Sequence, residues 1–306
     1  DLYSLFTSMD EVLRYLEQVD PPGAAIAKAR YACFDHYQDD SERYAYAAGI
    51  GISESCESAV LAQMQELQQR ALDYMQRDTG NAHDAYFYAQ QNARLAVNAE
   101  AYYRTMFRGR VSSWNLRDQH MAETLDALSV HVAARTGTQA KVVVWEHNSH
   151  IGDARATEVG RLGEWNVGQL ARERYSDQTR LIGFSTYDGT VTAASEWGGR
   201  AERKQVRPAL PDSYESVFHQ TGMQRFMLDL RRDSEAREGL MERRLQRAIG
   251  VLYLPQSERQ SHYFHVQLPR QFDAMIHFDR TSAVEPLETV SRRGGGEAPE
   301  TFPEGV

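Results

Sequence analysis

Lys141-Val-Val-Val-Trp145-Glu146-His147-Asn148-Ser149-His150-Ile151-Gly152-Asp153 is an apolar run that stops in a loop crowded with titratable side chains. Four β-favouring residues following a turn-like Thr136-Gly137-Thr138 read as a short, buried central strand. In open α/β sheets ligands collect beyond the carboxyl ends of such strands, which is where His147 and His150 would stand.

Working outward, residues 1–135 read as helices. Val12, Leu16 and Val19 recur at helical spacing, Pro21-Pro22-Gly23 ends that helix, and a second runs from Ile26 to Tyr37. After a candidate N-cap at Ser53, the stripe Val60, Met64, Leu67, Ala71 and Tyr74 predicts a helix stopped by Gly80. Another spans about Ala82 to Phe107. The next, from near Ser113 towards Val132, carries the stripe Trp114, Met121, Leu125, Leu128 and Val132. Steps of three and four back from Met121 place Asp118 and Arg117 on that same inward face, where ions are costly unless paired or facing a cavity. Either neighbouring groups satisfy them, or they line a site with the loop that follows.

Beyond Asp153 the pattern alternates. A helix opening at Asn166 and a strand over Arg180–Thr186 suggest, with the Lys141 run, a right-handed βαβ unit. The 151–168 connection exceeds the usual loop length of about 2 to 6 residues, as binding loops and lids do. A turn at Asp188-Gly189 separates a further strand, Thr190–Ala194; a helix over Ser213–Gln220 and strands over 224–230, 247–254, 261–268 and 271–279 complete the sheet. The fold class is α/β: a mixed, largely parallel sheet flanked by helices, with a large N-terminal helical part. The expected division is 1–135 helical, 136–290 sheet-bearing and 291–306 a disordered tail.

A formal charge of −9 and a pI near 5.6 argue against a nucleic-acid or anionic-membrane surface and favour a small-molecule partner. No run is long enough to span a bilayer and no signal segment opens the chain, so the cytoplasm is the expected location. Cys33 and Cys56 match no metal or redox spacing and read as reduced structural thiols. The oligomeric state is not encoded in any of these patterns.

Several chemistries suit the loop. A histidine whose unperturbed pKa is about 6.5 can take a proton from water near neutral pH. Arg117, if it reaches the same cavity, can hold a carbonyl oxygen as charge develops on it. A divalent metal on His147, His150 and Asp153 is a second reading, because three N/O ligands plus water make a workable catalytic set. A third is a small-molecule binding domain without catalysis.

Trp145-Glu146-His147-Asn148-Ser149-His150-Ile151-Gly152-Asp153 closely resembles the Trp-x-His-Asn-x-His-x-Gly-Asp signature of the erythromycin esterase family. Asn115-x-Arg117-Asp118-x-x-Met121-Ala122, Asn166-Val167-Gly168-Gln169, Gly183-Phe184-Ser185-Thr186, Ser261-His262-Tyr263, Gln271-Phe272-Asp273 and His277 are also similar to it. The likeness is nearest to the broad esterase-like branch rather than to the macrolide-resistance enzymes. It implies an α/β sheet with a helical insertion, and hydrolysis of a cyclic ester by a histidine-activated water, without metal or cofactor. His147 and His150, with Arg117, are then the expected catalytic residues. Trp145, Glu146, Asn148 and Asp153 in the loop, and Asp118 and Met121 on the helix, are the expected substrate contacts. The family's Gly-Glu-x-x-His-Gly-like segment, which supplies a glutamate and a base histidine, has no match here; the expectation is that Asp1 starts inside the helical part.

Overall fold

A computed structural model describes residues 1–37, 40–52, 54–77, 82–196 and 199–285. They divide into two compact units, Asp1–Val142 and a second beginning at Val143. The expected cap at Ser53, the stop at Gly80 and the tail from 291 lie outside the described residues.

In the first unit, helix α1 (Leu5–Val19) buries the expected Val12, Leu16 and Val19. Pro21-Pro22 does more than end it: with Pro21 at its first position, α2 (Pro21–Tyr31) starts there, because the first turn has no N–H partner to lose. A tight turn at Ala32–Tyr37 leads into α3 (Ser41–Gly49), which the apolar pattern does not announce. The Val60–Tyr74 stripe divides at Arg70 into α4 (Glu57–Gln69) and α5 (Ala71–Arg77). Helix α6 (Ala82–Thr105) packs against α1, α3, α4 and α5. Its Ala89, Ala93, Ala96 and Ala99, at three- and four-residue steps, are all buried, and small side chains let neighbouring backbones come close. Helix α7 (Arg110–Thr136) ends at Gly137, whose φ of 67° suits glycine as the terminating residue.

The reading of the cysteines as reduced thiols is corrected. Cys33 and Cys56 form a disulfide, with Cα atoms 6.0 Å apart across 23 residues of sequence. No local spacing could show this, because it is the packing of the helices that brings the two together. No described helix is long and apolar enough to cross a membrane.

In the second unit four strands form a mixed sheet in the order β2-β1-β6-β3: β1 (Ile182–Ala193), β2 (Glu202–Val206), β3 (Arg225–Asp229) and β6 (Ala274–Thr281). The β1–β6 pair is parallel, while β1–β2 and β3–β6 are antiparallel. A separate antiparallel pair joins β4 (Arg244–Arg247) to β5 (Tyr263–Val266). The expected turn at Asp188-Gly189 is instead the middle of one continuous strand. Gly189 takes a φ of 124°, and a Cβ there would sit 2.0 Å from the Thr281 carbonyl oxygen, so only glycine fits where β1 passes from one neighbour to the other.

One sheet face is covered by Tyr214, Phe218, Leu230, Phe272 and Met275. Helix residues 214–220 supply the first two, with Ser213 capping that helix at Ser216 N–H. The other face carries Ile182, Phe184, Met227 and Phe278, all exposed. Arg247 is sealed in this unit, 3.0 Å from the equally buried Glu258. Its guanidinium also donates through Nη1 and Nη2 to the carbonyl oxygens of Thr186, Tyr187 and Arg207, so the charge is neutralised and both Nη groups are hydrogen-bonded.

The central expectation, a buried strand over 141–145, does not hold. These residues join no ladder; Val143 is 90% and Trp145 84% exposed. With that strand goes the proposed βαβ unit. β-propensity records fit to a pleated, half-covered surface, and a run of valines becomes a strand only where neighbours offer a ladder.

Reduction of the Cys33–Cys56 bond is expected to destabilise the helical unit by about 3 kcal/mol, the loop-closure entropy for a loop of this size. Melting followed at the helical circular-dichroism band, with and without reductant, checks this; an unchanged midpoint would count against the bond.

Candidate active site

The histidine loop is fastened to the sheet by a side chain imitating a backbone. Asn148 Nδ2 donates to the Phe184 carbonyl oxygen at 2.6 Å, and Phe184 N–H donates back to Asn148 Oδ1 at 3.1 Å. The amide thus supplies one rung along the edge of β1, and the Trp145 ring lies 5.6 Å from that of Phe184.

From this rung the chain turns directly into a one-turn helix, α8 (Asn148–Ile151), with His147 at its N-cap. His147 Nδ1 accepts from Ser149 N–H at 3.2 Å and lies 2.9 Å from Ser149 Oγ. Nε2 is 3.0 Å from the Ile249 carbonyl oxygen. A carbonyl can only accept, which assigns the ring hydrogen to Nε2 and leaves the lone pair on Nδ1. His147 is exposed by its surface, yet protein crowded around the ring strips hydration from an imidazolium. That loss, with repulsion from His150, outweighs the Ile249 hydrogen bond and lowers the pKa to about 4. His150 is half-buried on the same turn, its N–H bonded to the His147 carbonyl at 2.9 Å. Glu146 is half-buried just before it.

Asp153 serves the frame. Its carboxylate meets Arg155 Nη2 at 2.7 Å and Arg172 Nη1 at 3.1 Å, and it is 4% exposed. Arg172, on α10 (Val167–Tyr175; α9 is Glu158–Arg161), also reaches Asp273 at 3.1 Å and the Arg270 carbonyl at 2.8 Å. Among the described residues no three His, Cys, Asp or Glu side chains are grouped so as to hold a metal.

Sequence reasoning undervalued Asn166. Buried beside the loop, it donates to the Ser149 carbonyl at 2.7 Å and the Gly152 carbonyl at 2.5 Å. Its Oδ1 accepts from Ala154 N–H at 3.3 Å and caps α10 at Gln169 N–H, 3.0 Å away. A Cβ on Gly168 would come within 2.1 Å of the Ile151 carbonyl oxygen, and one on Gly160 within 2.1 Å of that of Ala154. The 151–168 connection is therefore a tightly folded bracket, contrary to the lid expected from its length.

Arg117, Asp118 and Met121 belong to the helical unit. Arg117 and Asp118 are buried, as their place on the stripe requires. Arg117 donates through Nε and Nη2 to the Asp1 carboxylate at 2.9 and 2.5 Å, with its guanidinium 4.7 Å over the Tyr3 ring. Met121 is half-buried. His120, which the stripe does not single out, is buried against Asn98 at 2.9 Å, and loss of hydration drops its pKa to about 3.

The class that the fold defines is a mixed α/β sheet carrying the histidine loop at the edge of β1. The sequence profile of the erythromycin esterase family matches residues 1–281, and the chain belongs to that family. Three solved structures share its fold. A Bacillus cereus protein is 15% identical with a TM-score of 0.69, over 90% of this chain and 64% of that one. A succinoglycan biosynthesis protein is 18% identical with a TM-score of 0.64, over 90% and 62%. A histidine-to-asparagine mutant of the erythromycin esterase EreC in its open conformation is 16% identical with a TM-score of 0.63, over 94% and 68%. The chain thus spans about two thirds of the length of the structures it matches.

Asn166→Ala would orphan two carbonyls and two N–H groups; a loss of about 2 to 4 kcal/mol is expected in urea unfolding, with faster amide exchange over 149–154. His147 also makes stability pH-dependent. Its folded pKa lies below the unfolded value of about 6.5, so its contribution is complete above that pH and is lost as the pH falls towards about 4. Urea midpoints of the parent and His147→Gln between pH 7 and 4 should converge at the acid end.

Proposed function

We propose that this chain is part of an esterase-like hydrolase in which His147, assisted by His150, activates water for attack on the carbonyl carbon of a cyclic ester. Membership of the erythromycin esterase family supports hydrolysis of an ester. The single observation that carries the histidine role is the His147 arrangement: Nε2 is fixed on the Ile249 carbonyl, and the Nδ1 lone pair, which accepts from Ser149 N–H at rest, is the site a proton from water would take. Its depressed pKa keeps the ring neutral at physiological pH, the form that a base requires. As the attacking water loses its proton, the developing oxyanion favours an imidazolium beside it, which strengthens a ring that is a weak base at rest.

Trp145 and Phe184 offer an exposed aromatic surface for the apolar body of a large ester, and Glu146 flanks the same loop. Asn148 and Asp153 hold the loop in place, so their effect on substrate is exerted through the histidines. Arg117, Asp118 and Met121 remain candidates within the helical unit, where Arg117 is paired with Asp1. The partner is a small molecule, in keeping with the acidic balance of the chain. The Cys33–Cys56 bond favours an oxidising compartment over the cytoplasm expected from the sequence.

A panel of lactones and acyclic esters tests the reading. His147→Ala is expected to lower kcat/KM by about 100-fold or more, with an acid limb near pH 4 and no sensitivity to chelators. Equal activity of parent and variant would remove His147 from the mechanism, and loss of turnover on chelation would point to a metal instead.

A further inference from the structure

On the covered face of the sheet, one rung carries chemistry that the histidine loop does not use. Ser185 on β1 stands opposite His277 on β6, which stands opposite Phe226 on β3. Alternation along β1 sends Ser185 to the face opposite Phe184, hence away from the aromatic surface of the loop. Ser185 Oγ lies 2.9 Å from His277 Nδ1. His277 is wholly buried between Phe218 and Phe226, with ring centroids 5.3 and 5.2 Å away. Its Nε2 has no hydrogen-bond partner and lies 3.6 Å from Asp279 Oδ1. Asp279 is itself held by His219 Nδ1 at 2.7 Å, and the His219 ring stacks on Tyr187 at 3.7 Å.

A core histidine kept only for packing would have both nitrogens satisfied. Here the carboxylate side favours hydrogen on Nε2, which leaves Nδ1 to accept from the Ser185 hydroxyl. That is the polarity of an activated nucleophile: a hydroxyl, a base within reach, and a third group orienting the base, with the base–carboxylate contact still long as in unliganded enzymes. Ser185 retains part of its surface to solvent while His277 has none.

We propose that Ser185, His277 and Asp279 form a second nucleophilic centre, which takes the acyl group of short-chain esters onto Ser185. Short chains are specified because Phe218 and Phe226 close around the base. In the step, Ser185 Oγ bonds to the ester carbonyl carbon and its proton passes to His277 Nδ1. The bond to the leaving alcohol oxygen then breaks, and that oxygen takes the proton. Water attacks the acyl-serine in turn, giving its proton through His277 to Ser185 Oγ as the carboxylic acid departs.

The test is independent of the function proposed above. The full chain is treated with a fluorophosphonate, in which serine oxygen bonds to phosphorus and fluoride leaves, and the modified residue is found by peptide mass spectrometry. One adduct on Ser185 is expected, absent in Ser185→Ala and formed about 100-fold more slowly in His277→Gln. Should the buried His277 variant not fold, Asp279→Asn, at a partly exposed position, carries the same comparison with about a 10-fold slowing expected. Labelling of Ser185 that persists in His147→Ala, even where ester turnover is lost, separates this centre from the histidine loop. No adduct on Ser185 in folded protein, or a labelling rate indifferent to His277 and Asp279, overturns the proposal.

Discussion

Two hydrogen bonds between the Asn148 amide and the Phe184 main chain join the histidine loop to the sheet. Backbone donors and acceptors at a sheet edge must find partners, and a carboxamide presents one donor and one acceptor at nearly the spacing of a peptide group. Once the amide occupies that edge, the next turn of chain can go only one way. His147 then becomes the cap of α8, Ser149 supplies its partner, and Gly152 and Asp153 are delivered to the Asn166 and Arg172 side chains. The Asn148 amide, the Gly152 carbonyl and the Asp153 carboxylate are each matched by a group from a different element.

That matching explains the charge placement. Asp153 would be costly at 4% exposure were it alone; two arginines make it a joint between the loop, α10 and the approach to β6. Arg247 and Glu258 do the same for the β4–β5 pair and the middle of β1. Truncating one member of such a pair leaves an uncompensated charge, whereas the intact pair contributes mainly to fixing a unique arrangement. The histidines are treated differently. His147, His262 and His277 are all pushed towards the neutral form by loss of hydration, and in His147 and His262 a ring nitrogen accepts from a main-chain N–H, a bond that only the neutral form can keep.

Much of the scaffold was legible. The α1 stripe, the span of α6, the inward Arg117 and Asp118, the helix start at Ser213 and the β3 and β6 segments follow from the sequence pattern. The misreadings share a cause. Val142–Trp145 has the composition of a strand without the ladder; Asp188-Gly189 has the composition of a turn but lies inside one strand; the 151–168 connection has the length of a lid but is bracketed by Asn166 and by close backbone contacts at Gly160 and Gly168. In each, local preference was outweighed by what a distant segment offered or withheld.

By itself the sequence determined the helical first half, the mixed α/β character of the second, the acidic surface and the family signature that singles out His147 and His150. These are properties of periodicity, charge and short-range order, which a chain carries wherever it goes. Only the tertiary structure decided that Cys33 meets Cys56, that Asn148 pairs with Phe184, that Asp153 is spent on arginines, and that Ser185 and His277 share a rung. Those contacts join residues tens of positions apart, and their energies exist only once packing has excluded water and fixed both partners at hydrogen-bonding distance.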